Sequence, residues 1–346
     1  MTKKKNGSVK ITNPIKTTKK RVRDYLKRRP HRSFRFTRRR DYTRSLKLPK
    51  YWAFTFYVHK TLWANKKIFL SLAIFYAVMT LLLAGIASQD TFNSLSDTLN
   101  STGSEVLVGV WGKIGGAGLL MVSAMTGGMS SGLSDVQQIY AGLITLLTWL
   151  TSVWLLRNIL AGHKVKLRDG IYGAGSPIVS TFLVALILLV QLLPLALAII
   201  GFGAASISGL LSNGVEAMLF WIAAGLLASL SIYLVTGTLF ALVIITLPGM
   251  YPMQAIKASG DLVIGRRIRI LLRLVWMALI ELIAWALIMI PLILLDNWLS
   301  AVWPVIGSVP VTPVVLLLLS ALTIVWTSSY IYLLYRKVVA DDAEPA

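Results

Sequence analysis

Glu281 is the only acidic residue set deep in a long apolar run of this chain, within LVWMALIELIAWALIMI. A carboxyl group in that setting can tie helices together through hydrogen bonds, or it can carry a proton or a cation. The nearest basic residue in its own helix is Arg273, eight positions away, or about 12 Å at the helical rise. An ionised acid at mid-membrane costs roughly 2.5–3.5 kcal/mol on insertion scales, so Glu281 must face other helices, pair across them or be protonated. Gln191, beside Pro194, is the second polar side chain set in an apolar run, and Ser229, Ser231, Thr236 and Thr238 are placed to hydrogen-bond to either. No second acid or histidine lies in any apolar run to continue a proton path, which favours interhelical tethering over proton transfer.

Other chemistry is sparse. The three histidines, at positions 31, 59 and 163, fall in separate polar or amphipathic segments without HxxxH or HxxE spacing, so they read as surface residues. There are no cysteines, which removes disulfides, thiolate nucleophiles and Cys-ligated metals. No GxSxG, phosphate-loop or dinucleotide pattern occurs. The residues point to a non-enzymatic protein with no cofactor and no metal.

The elements that must position Glu281 are membrane spans. Of 346 residues, 56% are hydrophobic and only 14% charged, against about 25% charged in ordinary soluble domains. A spanning helix needs roughly 20 apolar residues. Six runs qualify, at about 68–87, 139–156, 178–200, 217–247, 274–295 and 314–334. The first is an uncleaved anchor rather than a signal peptide, because a long basic segment precedes it and its apolar run is longer than a typical signal core. Val106–Ala124 contains Lys113 and five glycines and reads as an interfacial or re-entrant stretch. With the N-terminus inside, 34 of the 35 Lys and Arg residues fall on the cytoplasmic side and only Lys113 outside. The expected class is therefore an all-α, six-span bundle in the cell membrane with both termini cytoplasmic.

The net charge of +21 resides in residues 1–67, which hold 23 Lys and Arg and two acids. Residues 1–50 form a basic arm too polar to bury a core. Residues 51–67 interleave aromatic and basic side chains, as a helix lying at the headgroup level does. Residues 68–339 form the membrane domain, and 340–346 a short acidic tail. Arg32, Arg35, Arg38, Arg39, Arg40 and Arg44 of the arm, with Arg266, Arg267 and Arg269 of a loop, are candidate contacts for anionic lipid. Because Arg alternates with Phe34, Phe36 and Tyr42, RNA or the ribosome is the competing partner, and a cytoplasmic protein a further one. The loop 248–273 carries Pro252 where a helix would start, with Met253, Ile256, Val263 and Ile264 as a partial apolar stripe. Pro194 and Pro291 fall at matching depths of spans three and five, a hint of a duplicated helix pair.

The segment Tyr251–Leu274 carries a proline, an alanine-led helix with a serine, and a Gly-basic step into a span: Pro252, Ala255, Ile256, Ser259, Val263, Gly265, Arg266 and Arg267. It resembles a recurrent piece of bacterial six-helix membrane proteins, among them the membrane domain attached to some glycerophosphoryl diester phosphodiesterases. Leu156–Pro177 is similar to the loop between paired helices in such proteins. The resemblance implies the six-helix topology. It implies no activity, since the soluble catalytic barrel of those diesterases has no counterpart here. The function expected is that of a membrane protein supporting or organising the membrane or its complexes, with a transporter using Glu281 or an RNA-binding anchor as alternatives.

Overall fold

The computed structural model describes residues 48–83, 135–208, 214–302 and 311–343. The arm up to residue 47, with Arg32, Arg35, Arg38, Arg39, Arg40 and Arg44, and the expected re-entrant stretch Val106–Ala124 lie outside the described residues. Among the described residues the secondary structure is helical, without strands. Six helices are long and apolar enough to cross a membrane: Lys66–Leu83, Val136–Leu160, Ile178–Ser206, Gly214–Ile244, Arg267–Leu292 and Val311–Asp341. These coincide in number and order with the six apolar runs.

In chain order, α1 (Tyr51–Ala64) precedes the first span α2 (Lys66–Leu83). The second span, α3 (Asp135–Leu160), is followed by a short helix, α4 (Leu167–Ala174). Spans three and four are α5 (Ile178–Ile207) and α6 (Gly214–Thr238). A buried turn, α7 (Ala241–Ile244), and a loop helix, α8 (Pro252–Val263), lead into span five, α9 (Arg267–Val302), and span six, α10 (Val311–Ala343).

The last helix is the hub, packing on α2, α3, α9 and, at its end, α1. Its contact with α2 is made by small residues, Ala73 and Ala77 against Ala321. Small side chains let two spans approach where lipid supplies no hydrophobic drive for association. Short polar links add direction. The Tyr76 hydroxyl and Thr151 Oγ1 lie 2.8 Å apart between α2 and α3, and Trp285 Nε1 donates to Thr323 Oγ1 at 2.7 Å between α9 and α10. The α5–α6 pair forms a hairpin with exposed apolar residues along much of its length, including Leu189, Leu197 and Ile200 on α5 and Leu219 and Leu226 on α6. Pro194 and Pro291 lie inside continuous helices.

The helices outrun the apolar runs that announced them. Helix α9 begins at Arg267, seven residues before the expected span, and α10 continues to Ala343, so Asp341 of the expected tail is part of the bundle. The second span ends at Gly162 with φ +85°. There the Gly162 and His163 amides bond back to the Ile159 and Asn158 carbonyls, a left-handed stop that a side chain would oppose. Helix α4 then folds back onto α3, where Gly170 and Gly173 sit directly over Leu155 and Trp154. Pro252 opens α8 as expected, but the stripe is different. Ala255, Ser259 and Val263, four residues apart, are the buried ones, whereas Met253 is exposed. Ser259 Oγ donates to the Gly237 carbonyl at 2.7 Å, so a polar residue anchors this face.

Candidate functional site

One end of the bundle gathers the basic residues, and they divide into two groups. The first group is structural. Arg157 donates to the Thr246 carbonyl at 2.8 Å and also to its hydroxyl. Arg267 lies over the Tyr233 ring at 3.8 Å and donates to the Tyr233 carbonyl at 3.2 Å. Arg273 donates to the Pro49 carbonyl and lies 4.2 Å from the Tyr51 ring centre. Arg266 forms a 2.9 Å ion pair with Asp341 and donates to the Val338 carbonyl at 3.3 Å. Both side chains of that pair are nearly inaccessible, at 3% and 6% exposure. Arg266 was expected to meet lipid or RNA; the structure turns it inward instead, because Asp341 supplies the counter-charge its burial requires. Arg267 is partly withdrawn, held on α6 by the Tyr233 ring and carbonyl, while Arg269 remains exposed.

The second group faces outward. Lys60, Lys66, Lys67, Lys164, Lys166, Arg168, Lys257 and Arg336 are exposed. Lys337 is exposed too, with its ammonium 5.6 Å from the Tyr57 ring centre. Helix α1 carries Lys60 and leads directly to Lys66 and Lys67. It plants Phe54 and Val58 in the core and leaves Trp52, Phe56 and Trp63 exposed. Phe54 packs edge-on against Tyr330 at 4.8 Å, and Trp276 Nε1 donates to Thr55 Oγ1 at 3.1 Å, which fixes α1 to α10 and α9. Lys66 Nζ lies 5.0 Å from the centre of the Trp63 ring. Exposed indoles beside lysines are the arrangement of a helix at a membrane–water boundary.

Glu281 faces the last span. Thr327 Oγ1 donates to Glu281 Oε1 at 2.8 Å. The span-four hydroxyls expected as its partners lie elsewhere: Thr236 and Thr238 donate to carbonyls of their own helix. Ser231 does meet Gln191, but through the Gln191 backbone carbonyl. The Gln191 side-chain oxygen is buried and accepts no hydrogen bond among the described residues. Glu281 and Gln191 therefore serve different helix pairs, α9–α10 and α5–α6.

Beside Glu281 a groove of about 490 Å³ runs under α1 between α9 and α10. Trp52, Phe56 and His59 of α1 cover it; Glu281 and Trp285 line it from α9, and Thr323 and Trp326 from α10. His59 is exposed, as expected of a surface residue, yet it stands at this groove. Sequence reasoning missed the aromatic members. Their signal was present as helical spacing, at 52, 56 and 59, at 281 and 285, and at 323 and 326, which places each set on one face. No family model, curated protein or solved structure matches the chain.

Proposed function

We propose that this membrane protein works without catalysis, as a bundle whose basic end docks on the anionic cytoplasmic leaflet of the cell membrane and holds the bundle and its complexes there. The supporting observation is the set of outward cations at this end of the bundle: lysines at 60, 66, 67, 164 and 166 are exposed, and α1, which carries Lys60, also exposes Trp52, Phe56 and Trp63. Each Lys or Arg near an anionic surface contributes about 1 kcal/mol. The arm would extend the same interaction, since residues 1–47 hold 19 Lys and Arg and two acids. The distribution of cations supports a cytoplasmic position for this end and for both termini.

The test is deletion of residues 1–47. The cut stops before Leu48, which packs on the core, and Pro49, whose carbonyl holds Arg273. Full-length and shortened protein are reconstituted in zwitterionic nanodiscs and titrated with short-chain phosphatidylglycerol. The full chain should bind it, with affinity falling steeply as salt rises. The deletion should weaken binding at least tenfold, leaving a residue due to the α1 face. A synthetic RNA in place of the lipid tests the competing partner. Binding that ignores both salt and deletion would refute the docking role. RNA displacing the lipid at equal charge concentration would move the reading to nucleic acid.

A further inference from the structure

The groove beside Glu281 is graded in polarity along the bundle axis. Glu281 stands level with Thr327, to which it is bonded. From there both spans run away from the basic end. Ile288 lies seven residues farther along α9 and Leu319 eight residues back along α10, or about 10–12 Å at the helical rise. The wall over that distance is largely apolar, with Ala284, Trp285, Ile288, Leu319 and Leu322, and its one hydroxyl, Thr323, is already engaged by Trp285 Nε1. The headward part is aromatic and polar, with Trp52, Phe56, Trp326 and Glu281, and with the exposed His59 at its rim.

Thr327 engages Glu281 Oε1, while Oε2 accepts no hydrogen bond among the described residues. A carboxylate has about four acceptor positions, so Glu281 keeps unused capacity on the groove side. An ionised carboxylate in apolar surroundings is costly unless a counter-charge meets it. Arg273, the nearest cation in the helix, is committed to Pro49 and the Tyr51 ring. The aromatic rings add attraction for a cation through their faces and none for an anion. The groove's size lies within the range of small-molecule sites, roughly 300–1,000 Å³.

We infer that this groove is a binding site for a lipophilic cation: a single-chain amphiphile that places a primary or quaternary ammonium head against Glu281 and the indoles, and its hydrocarbon tail along Ile288 and Leu319. The ligand enters from the bilayer, where its tail already resides. The groove's described lining includes none of the outward lysines and shares only Trp52 and Phe56 with the docking face.

The probe is tritiated dodecyltrimethylammonium, bound to the full chain in zwitterionic nanodiscs, with empty nanodiscs subtracted. Binding should saturate near one probe per chain. Unlabelled probe should compete, whereas dodecanol and dodecyl sulfate at the same concentration should not. Glu281→Gln keeps the acceptor for Thr327 and should weaken binding at least tenfold. Ala284→Trp fills the groove from its exposed wall and should abolish binding. Non-saturable uptake would overturn the inference, as would equal competition by dodecanol, which would mark a crevice filled by any lipid chain. Glu281→Gln binding within twofold of wild type would overturn it as well. If Glu281→Gln does not fold, Ala284→Trp decides, and undiminished binding there refutes the site.

Discussion

Replacing Asp341 with alanine should destabilise the bundle by about 3 kcal/mol. Asp341 is the counter-charge of Arg266 at 2.9 Å, and the pair is almost wholly excluded from solvent. Removing one member of a buried pair typically costs about 3–5 kcal/mol, because the other charge is left without its counter-charge. The low end applies here, since Arg266 keeps the Val338 carbonyl. Asp341→Asn should fall between wild type and alanine, its amide oxygen still accepting from Nη2. The double replacement Arg266→Met with Asp341→Leu should recover most of the loss, as buried pairs replaced by apolar side chains often do. The assay is reversible unfolding of the full chain in mixed micelles by stepwise addition of a denaturing detergent. The alanine effect should be nearly the same at low and high salt, since a buried pair is little screened. A loss below about 0.5 kcal/mol, or one that vanishes in salt, would show that Arg266 faces solvent or headgroups after all.

The Glu281–Thr327 bond should behave as a modest tether. A double-mutant cycle of Glu281→Leu and Thr327→Val should give a coupling near 0.6 kcal/mol and below about 1.7, the range of measured interhelical hydrogen bonds. A null coupling would separate the two side chains. Gly173→Ala would place a methyl 2.5 Å from Trp154 Nε1. The rigid indole cannot yield cheaply, so the cost should be about 1–3 kcal/mol in the same unfolding assay. Gly225→Ala, with nothing within 4 Å of the added carbon, should be neutral or stabilising. Equal effects at the two glycines would contradict the close seating of α4 on α3.

The spans were legible because insertion in lipid demands long apolar runs, and that demand leaves a mark on any window of about 20 residues. Their true ends were not. Arg267 and Asp341 look like loop residues by hydropathy, yet both are helical, since each finds a partner that only the fold provides. Arg266 was misread for the same reason. A cation next to a span resembles a headgroup contact until Asp341, 75 positions later, is brought to it. Glu281 stood out as a lone deep acid, but Thr327 could not be chosen among many hydroxyls without the helix order. On α8, Ser259 belongs to the motif that carries the family resemblance but has no place in an apolar stripe, although its hydrogen bond to Gly237 makes it the anchor. The groove joins α1 to two spans more than 200 positions later, so its faces were readable one by one and their meeting was not.

The claim that the basic end faces the cytoplasm is tested most directly by thiol labelling, which the cysteine-free chain makes clean. Single cysteines are placed at Ser101, Ser308 and Ser176, the last exposed beside α5 at the basic end. Intact cells are treated with an impermeant maleimide, and again after permeabilisation. Cysteines at 101 and 308 should label in intact cells, and the one at 176 only after permeabilisation. Labelling at 176 from outside, with 101 and 308 protected, would invert the bundle and remove its basic end from the cytoplasmic leaflet.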